Sequence, residues 1–555
     1  MAESLIEPPL KVRNGDGTAW DAEADIVVVG FGAAGATAAI EARTADRDVL
    51  VVDRFEGGGA TRWSGGIFYA GATRFQRDAG KTDTSEEMFK YLATEVTDAV
   101  SPETLRRFCG TSNDNVEWLV AQGVGFEGSL HEGKTTFPDE DKYLYYSGNE
   151  KVPSYAAIAK PAPRGHRIKG RGWTGYVLAD KLKASALAHG ARLLPHARAM
   201  RLVVDDVGRV IGVDVLRIDA THQAAHQKLY DAMDPMRPFG ADRAEKLIAA
   251  ARKIEAEHGS RALIRARRGI VLAAGGFAYN IDMVRRYMPA IAATYRTLIR
   301  MSALSCDGTG IDLGASVGGA CAKMDNPFIG RMMVPPEASV TGLMVNKRGE
   351  RFINEDTYVG FLGKAIAAQP DGAAWLIVDD QTFRKIRRQA LELGKGTFKN
   401  FGLPMLLNIL LGGTKKARSL AQLEKTCGFP AGTLERTVAD FNSAKDKGLP
   451  DPQGKSSDNC AHMGAGPYHA INSALTNLYS FMPFFTLGGL CVDQTSGQVL
   501  DQTGKPIEGL YAAGRNAVGV CSDGYFSGMS LADCVFSGRR AANALSHAQA
   551  KPVLV

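Results

Sequence analysis

Residues 25–35, DIVVVGFGAAG, decide the fold, because an apolar run typical of a buried strand leads directly into a glycine turn. The alanine-rich residues 36–43 that follow predict a helix, and the apolar residues 49–52 predict a second buried strand ending at Asp53. Strand, helix and strand in this order form a βαβ unit, whose two strands are parallel. The sequence therefore predicts an α/β fold.

The glycines of this unit, Gly30, Gly32 and Gly35, have the spacing GxGxxG of a dinucleotide site. The first makes the tight turn, the second lets the backbone approach a pyrophosphate, and the third lets helix and strand pack closely. The helix N-terminus faces the phosphates, and the Asp53 carboxylate can accept hydrogen bonds from the ribose hydroxyls. We therefore expect an adenine dinucleotide to bind here.

Length, charge and cysteine content show which kinds of protein this chain can be. A chain of 555 residues is too long for one core, so two or more domains are expected. The net charge of +6 is small for this length and no nucleic-acid module is present, so a nucleic-acid partner is not expected. The eight cysteines form no CxxC pair, and neither a signal peptide nor a spanning apolar run is present. We expect a cytoplasmic protein.

Glycine-rich segments farther along the chain favour FAD over NAD. Residues 57–66, GGGATRWSGG, offer backbone N–H groups at a bend after the second strand. Residues 269–280 and 510–515 read as further strands that end in small residues. Several such strand ends suit one long cofactor that crosses the sheet, and NAD-only folds rarely need the last two.

The order of the motifs resembles that of the fumarate reductase and succinate dehydrogenase flavoproteins over nearly the whole chain. The shared segments are the GxGxxG unit, GGxxxxSGG, DGTG at 307–310, GERFINE at 349–355, and LGG followed by GLYAAG. The resemblance implies a Rossmann-like (GR2-type) FAD-binding domain, about 1–285 plus 462–555, with an inserted α+β cap domain, about 286–461. Residues 62–63 are Arg-Trp where some members carry a flavin-linked His, so the FAD is expected to be non-covalent.

The cofactor contacts implied by the motifs and the resemblance are spread over the proposed FAD domain. They are Gly30, Gly32, Ala33, Ala34, Gly35, Asp53, Arg54, Gly59, Ala60, Thr61, Ser64, Gly65, Gly66, Ala197, Ala274, Gly275, Asp307, Gly310, Gly514, Arg515, Gly528, Ser530 and Leu531.

Dicarboxylate reductases of this superfamily hold their substrates with Arg and His, because two carboxylates must be gripped and protonated. The matching positions here are Val359, Phe485 and the uncharged segment GYFSGMS, which disfavours fumarate as a substrate. The side chains expected to face the substrate are instead aromatic: Phe481, Phe484, Phe485, Tyr358 and Tyr525. Such a site suits a large apolar molecule that carries a ketone.

Residues 524–540, 354–360 and 158–166 resemble the flavin-dependent 3-ketosteroid dehydrogenases, most closely the type that desaturates C4–C5 of 3-keto-5α-steroids. The resemblance implies that Tyr525, with the backbone near Gly528, holds the C3 ketone. Ser527 would accept the C4 proton, with Tyr358 acting as the relay for that proton, while a hydride leaves C5 for the flavin.

Other functions stay open at this point. The C1–C2 type usually carries Tyr-Pro-Gly before its last helix, where this chain has Tyr-Phe-Ser-Gly, so C4–C5 is favoured. A flavin enone or unsaturated-acid reductase is a second enzyme class, and a non-enzymatic FAD protein is a third. The residues give neither the direction of the reaction nor the electron acceptor.

Two further segments and two histidines have no place in the proposed FAD and substrate sites. The charged residues 241–267 predict a surface helix or a partner contact. Residues 398–411, FKNFGLPMLLNILL, are apolar and flanked by cations, which suits either a peripheral membrane contact or a buried cap helix lining the substrate pocket. No ligand set surrounds His166 or His196, so we predict no metal and assign both to structural or cofactor-edge roles.

Overall fold

The computed structural model describes residues 5–13, 18–235 and 241–547. Its central element is a run of parallel strands within a nine-stranded sheet. In spatial order these strands are Arg192–Leu194, Val49–Val52, Ala22–Val29, Gly259–Leu272 and Pro506–Ala512. The central parts of these strands, residues 26–29, 49–52 and 270–272, are buried and continuously apolar, as expected for parallel strands covered on both faces.

Two helices cover one face of this sheet where the glycine unit lies. Helix Ala33–Thr44 follows the first core strand, and the last described helix, Met529–His547, packs along it. A Cβ at Gly538 would lie 2.6 Å from the carbonyl oxygen of Ala34, so only glycine permits this close approach. The first and last parts of the chain are thereby joined at the glycine turn.

The same sheet continues as antiparallel strands beyond Gly259–Leu272. These are Val210–Ile218 and Ala197–Val204, with Leu10–Lys11 at the edge, while Gln498–Leu500 forms a hairpin with Pro506–Ala512. The prediction of a helix through residue 267 is wrong, since helix Ala241–His258 ends where strand Gly259–Leu272 begins. Pairing with Val210–Ile218 overrides the local helical propensity of that segment.

A second group of sheets lies in the middle of the chain. One has the order Leu343–Val345, Trp375–Asp379, Tyr468–Asn472 and Lys415–Ala417, all antiparallel. Another joins Ile299–Arg300, Pro483–Thr486 and Pro327–Ile329, and a third pairs Cys321–Ala322 with Gly489–Leu490. Two separate apolar clusters lie on the two faces of the first of these sheets, each packed against neighbouring helices.

A four-stranded sheet lies beside the N-terminus of helix Met529–His547, with Tyr69 donating its N–H to the carbonyl of Gly528. Its order is Ile67–Tyr69, Gly165–Arg167, Leu144–Tyr145 and Leu130–His131. The remaining α-helices are Gly59–Arg62, Arg74–Asp78, Ser85–Leu92, Pro102–Gly110, Ser112–Ala121, Pro153–Ala156, Gly175–Ala188, Ala220–Asp231, Ile281–Tyr287, Pro289–Ala292, Thr309–Ser316, Val359–Ala367, Asp380–Glu392, Lys395–Thr397, Leu403–Leu411, Leu420–Cys427 and Thr433–Asp446. Among the described residues, no helix combines the length and apolarity needed to cross a membrane.

Candidate functional site

A large cavity opens at the carboxyl ends of the parallel strands, where α/β sheets bind their ligands. Val29 and Val52, the last residues of two core strands, line it, as does Ala273 directly after a third. Its volume, counting the open mouth, is about 1470 Å³. The glycine turn and the segment before the last helix both line it, so the dinucleotide motif and the predicted catalytic residues share one cavity.

The three glycines of the GxGxxG turn differ in what surrounds them. A Cβ at Gly30 would lie 2.6 Å from the Ala273 carbonyl oxygen, and one at Gly35 would lie 1.9 Å from the Gly30 carbonyl oxygen. A Cβ at Gly32 would meet nothing closer than 3.5 Å, because this residue faces the cavity. Gly30 and Gly35 therefore serve packing, while Gly32 leaves the space that a pyrophosphate would need.

Asp53 is held beside this turn by the backbone. Its two carboxylate oxygens accept the N–H groups of Phe31 at 2.7 Å and Phe55 at 2.8 Å. Burial raises the pKa of Asp53, although these hydrogen bonds oppose the shift. The acid lines the cavity next to the amino end of helix Ala33–Thr44, whose amide dipoles favour a phosphate group. These residues fit the adenosine and pyrophosphate parts of FAD.

Arg54 and Arg198 line the same end of the cavity and are held by buried acids. Arg54 binds Glu255 at 2.6 Å and Asp307 at 3.1 Å, and Arg198 binds Glu255 at 3.3 Å. Burial raises the pKa of Glu255, but the two guanidinium groups outweigh it and hold that pKa well below its usual value. Glu255 belongs to helix Ala241–His258, so this helix reaches the cavity wall and is not simply a solvated surface element.

Another part of the cavity is lined by the segment before the last helix. Gly528 has a φ of +96°, and a Cβ there would lie 2.7 Å from the backbone nitrogen of Tyr69, so glycine is required. Ser530 and Leu531, in the first turn of helix Met529–His547, also line the cavity. The positive end of this helix therefore borders the site and favours negative charge there.

The three hydroxyls predicted to be catalytic, those of Tyr525, Ser527 and Tyr358, line this part of the cavity together. The ring centroids of Tyr358 and Tyr525 are 6.3 Å apart, and the Ser527 hydroxyl interacts with the Tyr358 phenol, weakly opposing the rise in its pKa that burial causes. The Gly528 backbone N–H lies near the Tyr525 phenol and slightly opposes the rise in its pKa that burial causes. Two hydrogen-bond donors thus lie together where a ketone oxygen can be held.

A fourth hydroxyl, that of Tyr145, lies 3.0 Å from Ser527 Oγ. Sequence reasoning missed it, because Tyr145 is 382 residues from Ser527 in a two-residue strand that no motif marks. Burial raises the pKa of Tyr358 well above its ordinary value, and it also raises those of Tyr145 and Tyr525. The three phenols are therefore neutral near pH 7 and can donate hydrogen bonds.

The cavity wall beside the hydroxyls is aromatic. The Phe328 ring stacks on Phe485 with centroids 4.6 Å apart and meets the Tyr525 ring edge-on at 4.9 Å. The guanidinium of Arg515 lies 5.2 Å from the Phe485 ring centre. Further wall residues that the sequence did not indicate are Phe137, Trp173, Met301, Met332 and Phe401. An apolar ligand with one polar group suits this wall.

Two of the predicted substrate contacts do not line the cavity. Side chains alternate along strand Pro483–Thr486, so Phe485 faces the cavity while Phe484 points to the other side and packs edge-on against Tyr295. Phe481 lies behind the wall, with its ring centre 6.1 Å from that of Phe401. The prediction that Phe481 and Phe484 face the substrate cavity is therefore wrong.

Most of the predicted cofactor contacts line the cavity, and three do not. Besides Gly35, these are Gly310 and Gly514, which lie in close packing contacts. A Cβ at Gly310 would meet the Asn516 side chain at 2.5 Å, and one at Gly514 would meet Ala34 Cβ at 2.8 Å.

The histidines lie apart from the hydroxyls. His166 is fully buried and bonds Thr73 Oγ1 at 2.8 Å, and burial lowers its pKa to about 4. Among the described residues, Asp219, His222 and His258 have ligand atoms within 4.8 Å of one another. None of these three lines the cavity, and Asp219 already bonds His222 at 2.9 Å.

Comparison with known proteins agrees with this geometry. Residues 25–530 match the family model of an FAD binding domain. The 3-oxo-5-alpha-steroid 4-dehydrogenase of Comamonas testosteroni is 36% identical over 91% of this chain and 95% of its own length. The 3-oxosteroid 1-dehydrogenase of Mycobacterium tuberculosis is 26% identical over 91% of this chain and 94% of its own length.

A solved structure is also similar over its full length. It is a 3-ketosteroid-delta4-(5alpha)-dehydrogenase from Rhodococcus jostii RHA1, in complex with 4-androstene-3,17-dione. The TM-score is 0.81 at 32% identity, covering 97% of this chain and 100% of that one.

Proposed function

The chain belongs to the FAD-binding flavoproteins related to the 3-ketosteroid dehydrogenases, and from this membership we propose that it is an FAD-dependent 3-ketosteroid dehydrogenase acting at C4–C5. One observation supports this function above the others. Tyr525, Ser527 and Tyr358 meet beside an aromatic wall, in the same cavity as the dinucleotide motif. A ketone can be held, and a neighbouring proton removed, at a single position.

The domain organisation is part of the proposal. The parallel strands would form a Rossmann-like FAD-binding domain, and the sheets in the middle of the chain would form a cap domain over it. Strand Tyr468–Asn472 pairs with Trp375–Asp379, and Pro483–Thr486 pairs with Pro327–Ile329, so both belong with the cap. Strand Gly489–Leu490 likewise pairs with Cys321–Ala322, so we move the return to the FAD domain from residue 462 to about residue 491.

We propose that FAD is held non-covalently along the glycine turn, Asp53 and the amino end of helix Met529–His547. When bound, FAD supplies the oxidant, taking up the hydrogen and the electron pair that leave C5. Arg62, which lies where a covalently linked His would be, instead forms an exposed ion pair with Asp180 at 2.8 Å.

The proton leaves the carbon next to the ketone, because the resulting negative charge can spread onto the ketone oxygen. The Tyr525 hydroxyl and the Gly528 N–H would stabilise that oxygen, an effect commonly worth about 3–4 kcal/mol per donor. Ser527 would take the C4 proton while its own hydroxyl proton passes to Tyr358, and Tyr358 would release its phenolic proton in turn, so that the relay delivers one proton to solvent. The C4–C5 double bond forms as the second hydrogen departs.

An anaerobic titration tests this function. The purified flavoprotein is mixed in turn with a saturated 3-keto-5α-steroid, the matching 4-ene-3-ketosteroid and succinate, and the flavin absorbance is followed. We expect the saturated steroid to bleach the flavin and the other two to leave it oxidised. Bleaching by succinate alone would refute a steroid substrate.

We also propose that residues 393–423 contact an anionic membrane surface, from which an apolar steroid could enter. This segment contains five cations and no acid. On helix Leu403–Leu411, Met405 and Asn408 face inward while Leu410 and Leu411 are 75% and 59% exposed. Phe401, in the preceding turn, lines the cavity, so the apolar surface adjoins the substrate wall.

Vesicle co-sedimentation tests this contact. Binding should require anionic lipid and should be lost in the variant Leu410→Glu/Leu411→Glu, because two buried carboxylates would oppose insertion. Val207→Glu places one such carboxylate on a residue that is 82% exposed in the hairpin turn between Ala197–Val204 and Val210–Ile218, and this variant should bind as the wild type does. Failure of the wild type to bind anionic vesicles would contradict the proposal.

A further inference from the structure

The backbone N–H of Tyr358 is held by a buried side chain outside the cavity. Tyr358 directly precedes helix Val359–Ala367, and its carbonyl oxygen accepts the Phe361 N–H at 2.8 Å. The N–H of a residue at this position has no partner within its own helix. It donates instead to Oδ1 of Asn149 at 2.6 Å. The position of the Tyr358 backbone therefore depends on Asn149.

Asn149 is itself fixed in place. The residue is fully buried, and its backbone N–H donates to the Tyr91 phenol oxygen at 2.6 Å. Its carbonyl oxygen accepts the Val152 N–H at 2.9 Å, which closes a turn. A Cβ at Gly148, the preceding residue, would lie 2.4 Å from the Tyr91 phenol oxygen, so this segment packs tightly against that side chain. Tyr358 is therefore bonded to a rigid part of the chain.

The segment that contains Asn149 continues from the four-stranded sheet beside the last helix. Asn149 lies four residues after its strand Leu144–Tyr145. The same sheet also contacts the segment before the last helix, because the Tyr69 N–H donates to the Gly528 carbonyl oxygen at 3.3 Å. Gly528 directly follows Ser527 in the chain. Through Asn149 and Tyr69, one sheet holds the backbone at both members of the proposed proton relay.

We propose that Asn149 is a positioning residue that keeps the Tyr358 phenol within proton-transfer reach of Ser527, an inference that rests on the proposed function. Tyr358 comes from the proposed cap, whereas Ser527 comes from the segment before the last helix. Their spacing therefore depends on how the cap meets the FAD-binding domain, and the bond from Asn149 crosses this boundary next to the relay. Asn149 does not line the cavity, so it acts through Tyr358 and not on the substrate.

A small displacement of Tyr358 is enough to slow the reaction. A proton passes between two groups that lie within hydrogen-bond reach, about 2.6–3.2 Å. A misplacement of about 1 Å can cost a factor of about 100 in rate. Without the Asn149 amide oxygen, the buried Tyr358 N–H would have no acceptor, and the start of its helix would shift toward another one. The phenol would then move relative to Ser527.

The test is a double-mutant cycle between Asn149→Ala and Tyr358→Phe, measured as steroid-dependent reduction of the bound flavin. Asn149→Ala should lower kcat about 10- to 100-fold, with KM and FAD content close to those of the wild type. In the Tyr358→Phe background it should cause no further loss, because the phenol that it positions is absent while the backbone N–H remains. An equal loss in both backgrounds, or no loss in the wild-type background, would overturn the inference.

Two further variants separate positioning from folding. Asn149→Asp keeps an oxygen that can accept the Tyr358 N–H and should retain kcat within about threefold of the wild type. A loss as large as that of Asn149→Ala would overturn the inference. Asn442→Ala also removes an amide oxygen that accepts a backbone N–H, that of Met463 at 2.9 Å, outside the cavity, and should leave kcat unchanged. A comparable loss in this control would likewise contradict a specific role of Asn149.

A second readout follows the proton alone. With the flavin chemically reduced, exchange of the steroid C4 hydrogens with D₂O should slow in Asn149→Ala to the same extent as kcat. Unchanged exchange would overturn the inference while leaving the proposed function intact. Absence of any steroid oxidation by the wild type would instead refute the function.

Discussion

Removal of the Tyr525 hydroxyl is the most informative single perturbation of the site. In Tyr525→Phe the ring should keep its packing against Phe328 and Phe485, whose centres lie 4.9 and 5.1 Å away. Only the hydroxyl that we propose as the donor to the ketone oxygen is lost. At about 3–4 kcal/mol per donor, the rate of flavin reduction should fall roughly 10²- to 10³-fold.

Stopped-flow reduction of the bound flavin by a saturated 3-keto-5α-steroid measures this rate. FAD content and its visible spectrum should match those of the wild type, because the substitution leaves Asp53 and the glycine turn unchanged. Tyr279→Phe, which removes a buried hydroxyl 3.0 Å from the Arg300 carbonyl oxygen and outside the cavity, is the control. A near wild-type rate in Tyr525→Phe would refute the role of this hydroxyl.

Three further outcomes are expected. Glu255→Gln should raise the Kd for FAD about tenfold in a flavin-fluorescence titration, because Arg54 loses a buried anionic partner. Glu257→Gln, on the exposed face of the same helix, should leave the Kd unchanged. Equal FAD affinities of the two variants would contradict a role of Glu255 in cofactor binding. His166 should contribute to the pH dependence of stability. Burial lowers its pKa from 6.5 to about 4, so its neutral form stabilises the fold above pH 6.5, and roughly 2 kcal/mol should be lost by pH 5. Chemical denaturation of His166→Gln should show a flatter pH profile, His189→Gln on the surface should not, and identical profiles would argue against this origin. Acid precipitation should release all FAD into the supernatant, whereas flavin retained in the pellet would indicate a covalent bond.

Local patterns in the sequence predicted the parts of the site that are contiguous in the chain. The strand, turn and helix around Gly30 were predictable because periodicity and glycine spacing are local properties. The segment around Tyr525 and Ser527 lies at a helix start, as predicted, and lines the same cavity.

Features that depend on tertiary pairing were not predictable. Residues 259–267 have a helical composition but form a strand because Val210–Ile218 pairs with them. The orientation of Phe484 depends on the register of a short strand, where one residue reverses the face. Tyr145 reaches Ser527 only because the small sheet lies beside the last helix, a contact across 382 residues that leaves no local signal.

The position of the new double bond tests the central claim most directly. A saturated 3-keto-5α-steroid is converted in a single anaerobic turnover, and the product is identified by NMR. The arrangement of Tyr525, Ser527 and Tyr358 predicts a 4-ene-3-ketosteroid, formed with loss of one C4 hydrogen to solvent. A 1-ene product, or a flavin that the steroid leaves fully oxidised, would contradict it.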